Sequence, residues 1–324
     1  MATIDRRGLL GGAGLAAALP RSAGAQPRRA VRLVVPAAPG GAIDVIGRLY
    51  AQRLGPALNQ VWVVENRSGA NNTLGAAEVA RSAPDGQTLL VNADIQLMAK
   101  HVMRSVPYDP VADFTPIGRL AASPLVLVGN PQAAPQPDLD SLVAALRAAP
   151  DRFTFANSAL GSMGHLATES LKRRVGADTT TVVSYRGTAP ALTDVLSGLA
   201  TLMVAPLGSA LPHIAAGKLR GYAVFGARRS PRLPDIPATD EAGLPGLDFT
   251  LWYALWGPKN LPGEIVQATN EAVQAAGKEP ALAARLAEQG AEPVGEDPMA
   301  FARFIAAEAL RNGKIAEDAG IRPE

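Results

Sequence analysis

Between residues 31 and 225 the chain alternates short β-rich runs with longer amphipathic or alanine-rich ones, and this rhythm restricts the fold more than any other feature. Strand–helix–strand units of this kind pack as mainly parallel sheets, because a right-handed crossover helix returns the chain to the starting end of the sheet. The first predicted strands are 31–35, 61–64 and 88–91. Between the first two, Ile43, Ile46, Leu49, Tyr50 and Leu54 fall on one stripe, which predicts a helix over 43–54. Pro84-Asp85-Gly86 is a turn into the third strand.

A long apolar run over 117–128 then leads into the Pro-rich stretch 131–137, and reads as a strand leaving one unit for another. A second alternating set follows, with helices predicted over 140–148, 162–175 and 190–196 and strands over 153–156, 181–184, 202–205 and 219–225. The segment 231–237 carries three prolines and suits neither helix nor central strand. Residues 251–256 read as a strand returning to the first unit, and helices over 264–276, 280–288 and 298–316 complete the chain. The expectation is an α/β protein with two lobes, a two-strand hinge and an inter-lobe cleft. Residues 26–121 with 250–324 form the first lobe, and 122–249 the second. Such an architecture suits an exported binding protein that closes on its ligand.

The first 25 residues read as an export signal: Arg6 and Arg7, an apolar run over 8–19, then Ala23-Gly24-Ala25 as a small-residue exit. The run is shorter than the roughly 20 residues a spanning helix needs, so no membrane insertion is expected after its removal. The paired arginines fit a twin-arginine signal and an ordinary secretory one equally. Either places the mature chain in the periplasm. The 324 residues carry 31 Lys+Arg against 29 Asp+Glu. Three arginines and one aspartate lie in the signal, leaving 28 of each sign and no net charge in the mature chain. Nucleic acid is therefore not an expected partner. Any attraction for an anion must come from local donors.

With no cysteine, thiol catalysis, Cys-ligated zinc and iron–sulfur clusters are excluded. His101, His165 and His213 stand far apart without spaced acidic partners, so neither metal nor cofactor is expected. Ser162 and His165 suggest a nucleophile and base, but Ser162 opens a predicted helix, where serine is a favoured cap. Three strand-to-helix loops suit binding better: Pro39-Gly40-Gly41-Ala42-Ile43-Asp44, Asn157-Ser158-Ala159-Leu160-Gly161-Ser162, and Tyr185-Arg186-Gly187-Thr188-Ala189-Pro190. At such loops the first helical amides are unpaired and the helix dipole favours negative charge. All three fall at carboxyl ends of strands, where α/β sheets bind ligands. For each loop a turn with a cap is the alternative reading, and Asp44 in particular suits a helix start as well as a ligand contact.

These loops, with Val64-Glu65-Asn66-Arg67-x-Gly69-Ala70, Pro84-Asp85-Gly86-x-Thr88-Leu89-Leu90, Tyr108-Asp109-Pro110, Asp113-Phe114-Thr115-Pro116, Gly161-Ser162-x-x-His165-Leu166 and Glu241-Ala242-Gly243-Leu244-Pro245-Gly246, occur in the order seen in one family. The chain resembles the Bug family, the periplasmic substrate-binding receptors of tripartite tricarboxylate transporters, over essentially its mature length. The resemblance implies a type II periplasmic-binding-protein fold, a monomer, a small carboxylate ligand and membrane transporter subunits as partners. It implies Gly40, Gly41 and Asp44 as first-lobe contacts. Ser162, His165, Tyr185, Gly187, Ala189 and Pro190 follow in the second lobe, and the loop before Ser162 adds Ser158, Gly161 and Asn157, the last a departure from the serine that the family usually has there. Where the family strand usually ends in an acid, this chain has Ala205. Alanine cannot pair with a ligand amine, so a carboxylate without an ammonium group is expected. Asn92, Asp94 and Gln96 are possible replacement contacts. The alternatives are a receptor serving a sensor kinase and an exported hydrolase using Ser162 and His165.

Overall fold

The computed structural model describes residues 30–323; the export-signal reading of residues 1–25 lies outside them. The chain opens with β1 (Ala30–Val35), α1 (Ala42–Ala57), β2 (Val61–Asn66), α2 (Thr73–Ala80), β3 (Thr88–Ala93) and α3 (Ile95–Val102). β1 pairs in parallel with both β2 and β3, as the crossover rule requires. The strand β4 (Phe114–Gly129) follows, at 16 residues. Next come α4 (Leu139–Ala148), β5 (Thr154–Asn157), α5 (Met163–Val175), β6 (Thr181–Ser184), α6 (Thr188–Ser197), β7 (Leu202–Pro206), α7 (Leu207–Ala215) and β8 (Arg220–Val224). The strand β9 (Thr250–Pro258) leads to α8 (Gly263–Gly277), α9 (Pro280–Glu288), the short β10 (Glu292–Pro293) and α10 (Pro298–Asp318).

The strand order is β2-β1-β3-β9-β4-β7-β5-β6, with β8 and β10 also on β4. Residues Phe114 to Pro124 of β4 run antiparallel to β9, and Leu125 to Gly129 pair instead with β7 and β8. β4 thus belongs to both halves of the sheet. Its register shifts between Pro116 and Gly118, where proline offers no amide to the ladder. The sheet is mixed, which corrects the mainly parallel expectation. Every antiparallel pairing involves β4 or β9, because a strand that connects two halves returns in the opposite direction.

Three helices escaped the sequence reading: α2, α3 and α7. The first two are only eight residues long, and about two turns give too few positions for a 3.6-residue period to be told from a short apolar run. α7 carries Pro212 inside it. A core of Ile46, Leu54, Val91, Leu255, Val273 and Leu282 holds α1, α8 and α9 to the first half of the sheet. Val128, Ala156, Val195, Met203 and Leu207 build the core under α6 and α7. A third cluster runs across both halves, from Val34 and Leu90 through Met98 to Leu166, Trp252 and Phe301. Within it the Trp252 ring lies 5.9 Å from Trp256 and 6.1 Å from Phe301. Removing a fully buried aromatic of this kind costs about 3–5 kcal/mol. The same cluster brings α3 and α5, from opposite halves, together at the candidate site.

Candidate functional site

The first loop runs from β1 to α1. Gly40 has φ +80° and is exposed, while Gly41, at φ −72°, is the α1 cap residue. Asp44 is buried at 3% exposure and holds this loop. Its Oδ2 accepts the Gly40 amide at 2.9 Å, its Oδ1 accepts Asn66 Nδ2 at 2.9 Å, and Arg48 Nε lies 3.0 Å from both oxygens. Asn66 also donates to the Ala37 carbonyl at 3.0 Å. Burial pushes the Asp44 carboxyl up, but the donors from Arg48, Gly40 and Asn66 outweigh it and leave it below the usual carboxylate range. Asp44 therefore orders the loop while Gly40 and Gly41 present backbone. Asn66, at the end of β2, is a positioning residue that sequence reasoning missed as such, although it stood in a recognised block.

The two second-lobe loops form one piece. The Tyr185 amide donates to the Asn157 carbonyl at 3.0 Å, and the Gly187 amide to the Ser158 carbonyl at 2.8 Å. Asn157 is fully buried, with Nδ2 on Ser184 Oγ at 3.0 Å and Oδ1 without a partner among the described residues. Ser158 Oγ is 3.4 Å from Ser162 Oγ. Tyr185, in the loop before α6, is engaged by that helix: its hydroxyl donates to Asp194 at 2.6 Å, and burial with the Asp194 carboxylate pushes it up to about 12. Ala189 and Pro190 are exposed in the first turn of α6. That helix is capped by Gly187, at φ +125°, with no side-chain cap. The amides of Thr188 and Ala189 thus have no partner within the helix, and the first turn carries no acid.

α5 differs. Ser162 caps it, Oγ accepting the His165 amide at 3.3 Å. Its first amide, on Met163, donates to Asp94 Oδ2 at 2.9 Å, across from α3. Burial pushes the Asp94 carboxyl up to about 7, against the Met163 amide and helped by the Glu308 charge. Gly161 packs against Met98 and Val102 of α3, Ala159 lies against the first-half core, and Asn71 Nδ2 reaches the Leu160 carbonyl at 3.4 Å. The 159–163 segment therefore closes against the first lobe. Of the other suggested contacts, Asn92 and Gln96 bind each other at 2.8 Å.

The Ser162–His165 pairing needed for a nucleophile is not formed. His165 Nδ1 accepts the Gly161 amide at 3.1 Å, and burial, assisted by Lys172, lowers the ring to about 4. The serine oxygen meets the backbone of His165, not its ring. Sequence reasoning also missed Ala70-Asn71-Asn72, three consecutive non-glycine residues at positive φ beside the site. The Asn-Asn pair was the available signal, since asparagine visits this region most readily. Ala205, where an acid was looked for, is fully buried in the apolar core under α6 and α7.

A family model, the tripartite tricarboxylate transporter family receptor, matches residues 46–321. The chain is 36% identical to protein BugT of Bordetella pertussis over 312 residues, covering 96% of this chain and 94% of that one. An R. palustris protein solved with adipate superposes with a TM-score of 0.82 at 36% identity, over 92% of this chain and 99% of the other. MatC from Rhodopseudomonas palustris, solved with bound malate, gives a TM-score of 0.78 at 32% identity, over 90% and 100% of the two chains.

Proposed function

Since the chain belongs to the tripartite tricarboxylate transporter receptor family, we propose that it captures a small carboxylate in the periplasm, between the Gly40–Gly41 loop and the loops before α5 and α6, and delivers it to the membrane subunits of such a transporter. The lobes are residues 26–121 with 250–324 and residues 122–249, swinging about β4 and β9. The observation that carries the reading is the contrast between helix starts. α5 already meets Asp94 and Ser162, and α1 carries Asp44 in its first turn, whereas α6 begins at Gly187 with amides that have no partner among the described residues and with no acid in its first turn. A carboxylate on the Thr188 and Ala189 amides would gain charge-assisted hydrogen bonds together with the helix dipole. The relatives' adipate and malate are both dicarboxylates, so the second carboxylate would reach the Gly40–Gly41 backbone, directly or through water. With Ala205 in place of an acid, the ligand is one without an ammonium group.

The test is native mass spectrometry of the purified mature chain, followed by calorimetry with adipate, malate and glutamate. A co-purified or titrated organic acid supports the reading. Binding of neutral or cationic solutes in preference to every carboxylate tried would overturn it.

A further inference from the structure

The turn from β2 to α2 breaks two local rules at once. Ala70, Asn71 and Asn72 hold φ of +46°, +50° and +69° in succession. Single residues visit this region, but runs of it are disfavoured, and Ala70 has no polar side chain to support it. Asn72 also stands at the cap position of α2, where an asparagine usually turns its oxygen to the helix amides, yet its side chain makes no cap. Both asparagine side chains turn to other segments instead. Asn72 Nδ2 donates to Asn92 Oδ1 at 3.2 Å, and Asn92 Nδ2 donates to Gln96 Oε1 at 2.8 Å, which ties the turn to β3 and α3 of its own half. Asn71 Nδ2 donates to the Leu160 carbonyl at 3.4 Å, in the loop before α5 of the other half. Gly75, in the first turn of α2, packs on Pro36 at the end of β1, where a Cβ would lie 3.0 Å from the proline Cβ. The turn thus reaches from the base of the Gly40–Gly41 loop to the loop before α5, the two sides between which the ligand is proposed to lie.

We propose that this turn is the clasp of the cleft: Asn71 is a positioning residue that holds the closed form through the Leu160 carbonyl and so sets how fast the ligand leaves. This rests on the carboxylate reading above. Backbone strain persists only where surrounding contacts hold it, and it gathers at clamps and switches. Asn72 is the anchor, through Asn92 and Gln96, and Asn71 is the arm that crosses to the other half. A hydrogen bond of 3.4 Å is long and weak, so it yields as the lobes part. A contact present only after closure slows dissociation and leaves the encounter rate unchanged.

Stopped-flow binding and release of adipate by the mature chain, for wild type and Asn71→Gly, tests the clasp. Glycine enters positive φ freely, so this variant loses the amide arm while the turn keeps its shape. It is expected to release adipate about fivefold faster, the worth of one neutral hydrogen bond, with an unchanged association rate. The ligand-free melting temperature is expected to shift by less than about 4 °C. A purely structural Asn71 predicts the reverse, a lower melting temperature with release unaltered. A wild-type release rate in the variant overturns the proposal whatever its melting temperature. If release quickens and stability falls together, the association rate decides: unchanged, it supports the clasp; slowed, it marks a damaged site and overturns it. Failure of adipate to bind the wild type counts against the carboxylate reading. The clasp is then decided without ligand by small-angle scattering: a wild type more compact than Asn71→Gly supports it, and identical profiles overturn it.

Discussion

Gly161 faces Val102 with no room between them: a Cβ on Gly161 would lie 2.5 Å from Val102 Cγ1. The contact joins the loop before α5 to α3 of the other half, and Gly161 also holds φ +75°, a region that other residues enter only under strain. Gly161→Ala is therefore expected to cost about 1–3 kcal/mol in urea unfolding and to weaken ligand binding. A variant with wild-type stability and affinity would show that the two lobes do not meet here in solution.

Gly41 separates binding from folding. Its φ of −72° accommodates any residue, and a Cβ there meets only the Ala38 carbonyl, at 3.3 Å. Gly41→Val should cost no more than about 1 kcal/mol in stability, the scale of a helix-cap change. Carboxylate affinity should fall at least about tenfold, about 1.4 kcal/mol, because the branched side chain stands where the backbone approaches the ligand. Unchanged affinity by calorimetry would remove Gly41 from the site.

The Asp44 cluster sets a pH dependence of stability at the acid end. Asp44 lies below the usual carboxylate range when folded, so its contribution is present above the unfolded value near 4 and is lost as pH falls through the folded one. Asp44→Asn should lower stability at pH 7 by about 1–3 kcal/mol, with the difference from wild type shrinking below pH 4. Denaturant melts at pH 7 and pH 3 measure this directly. An equal deficit at both would mean that packing, not charge, holds the Gly40 loop.

The fully buried Ala205 predicts ligand preference. Glutarate should bind at least as tightly as glutamate, because the ammonium of glutamate finds no acid at the end of β7. Tighter binding of glutamate in a competition titration would refute this. Ala205→Asp should destabilise by about 2–5 kcal/mol, since the acid would replace a fully buried apolar side chain.

Ser162→Ala removes a cap and is expected to cost about 1 kcal/mol. Ester turnover should be absent from variant and wild type alike, since His165 offers its ring to Gly161 and not to Ser162. Turnover by the wild type that disappears in the variant would revive the hydrolase reading.

Most elements were legible because local rules write them into the residues. The stripe of Ile46, Leu49, Tyr50 and Leu54 marks α1, prolines and glycines punctuate the loops, and apolar runs mark β4 and β9. The loops carrying Gly40, Ser162 and Gly187 were legible for the same reason, since a strand that turns into a helix must expose its first amides. The short helices α2 and α3 were not, because about two turns are too short for a helical period to be told from a brief apolar run.

What only the tertiary structure decided is which of these groups are free. Asp44 and Tyr185 looked like ligand contacts, yet one is engaged by Gly40, Arg48 and Asn66 and the other by Asp194. Asp94 stands 69 positions before Met163, and no spacing rule relates them, yet the closure of two lobes brings its carboxylate to the start of α5. Residue type and local pattern determine which groups can donate or accept. Which of them find partners depends on contacts between distant segments, and those exist only once the chain has packed.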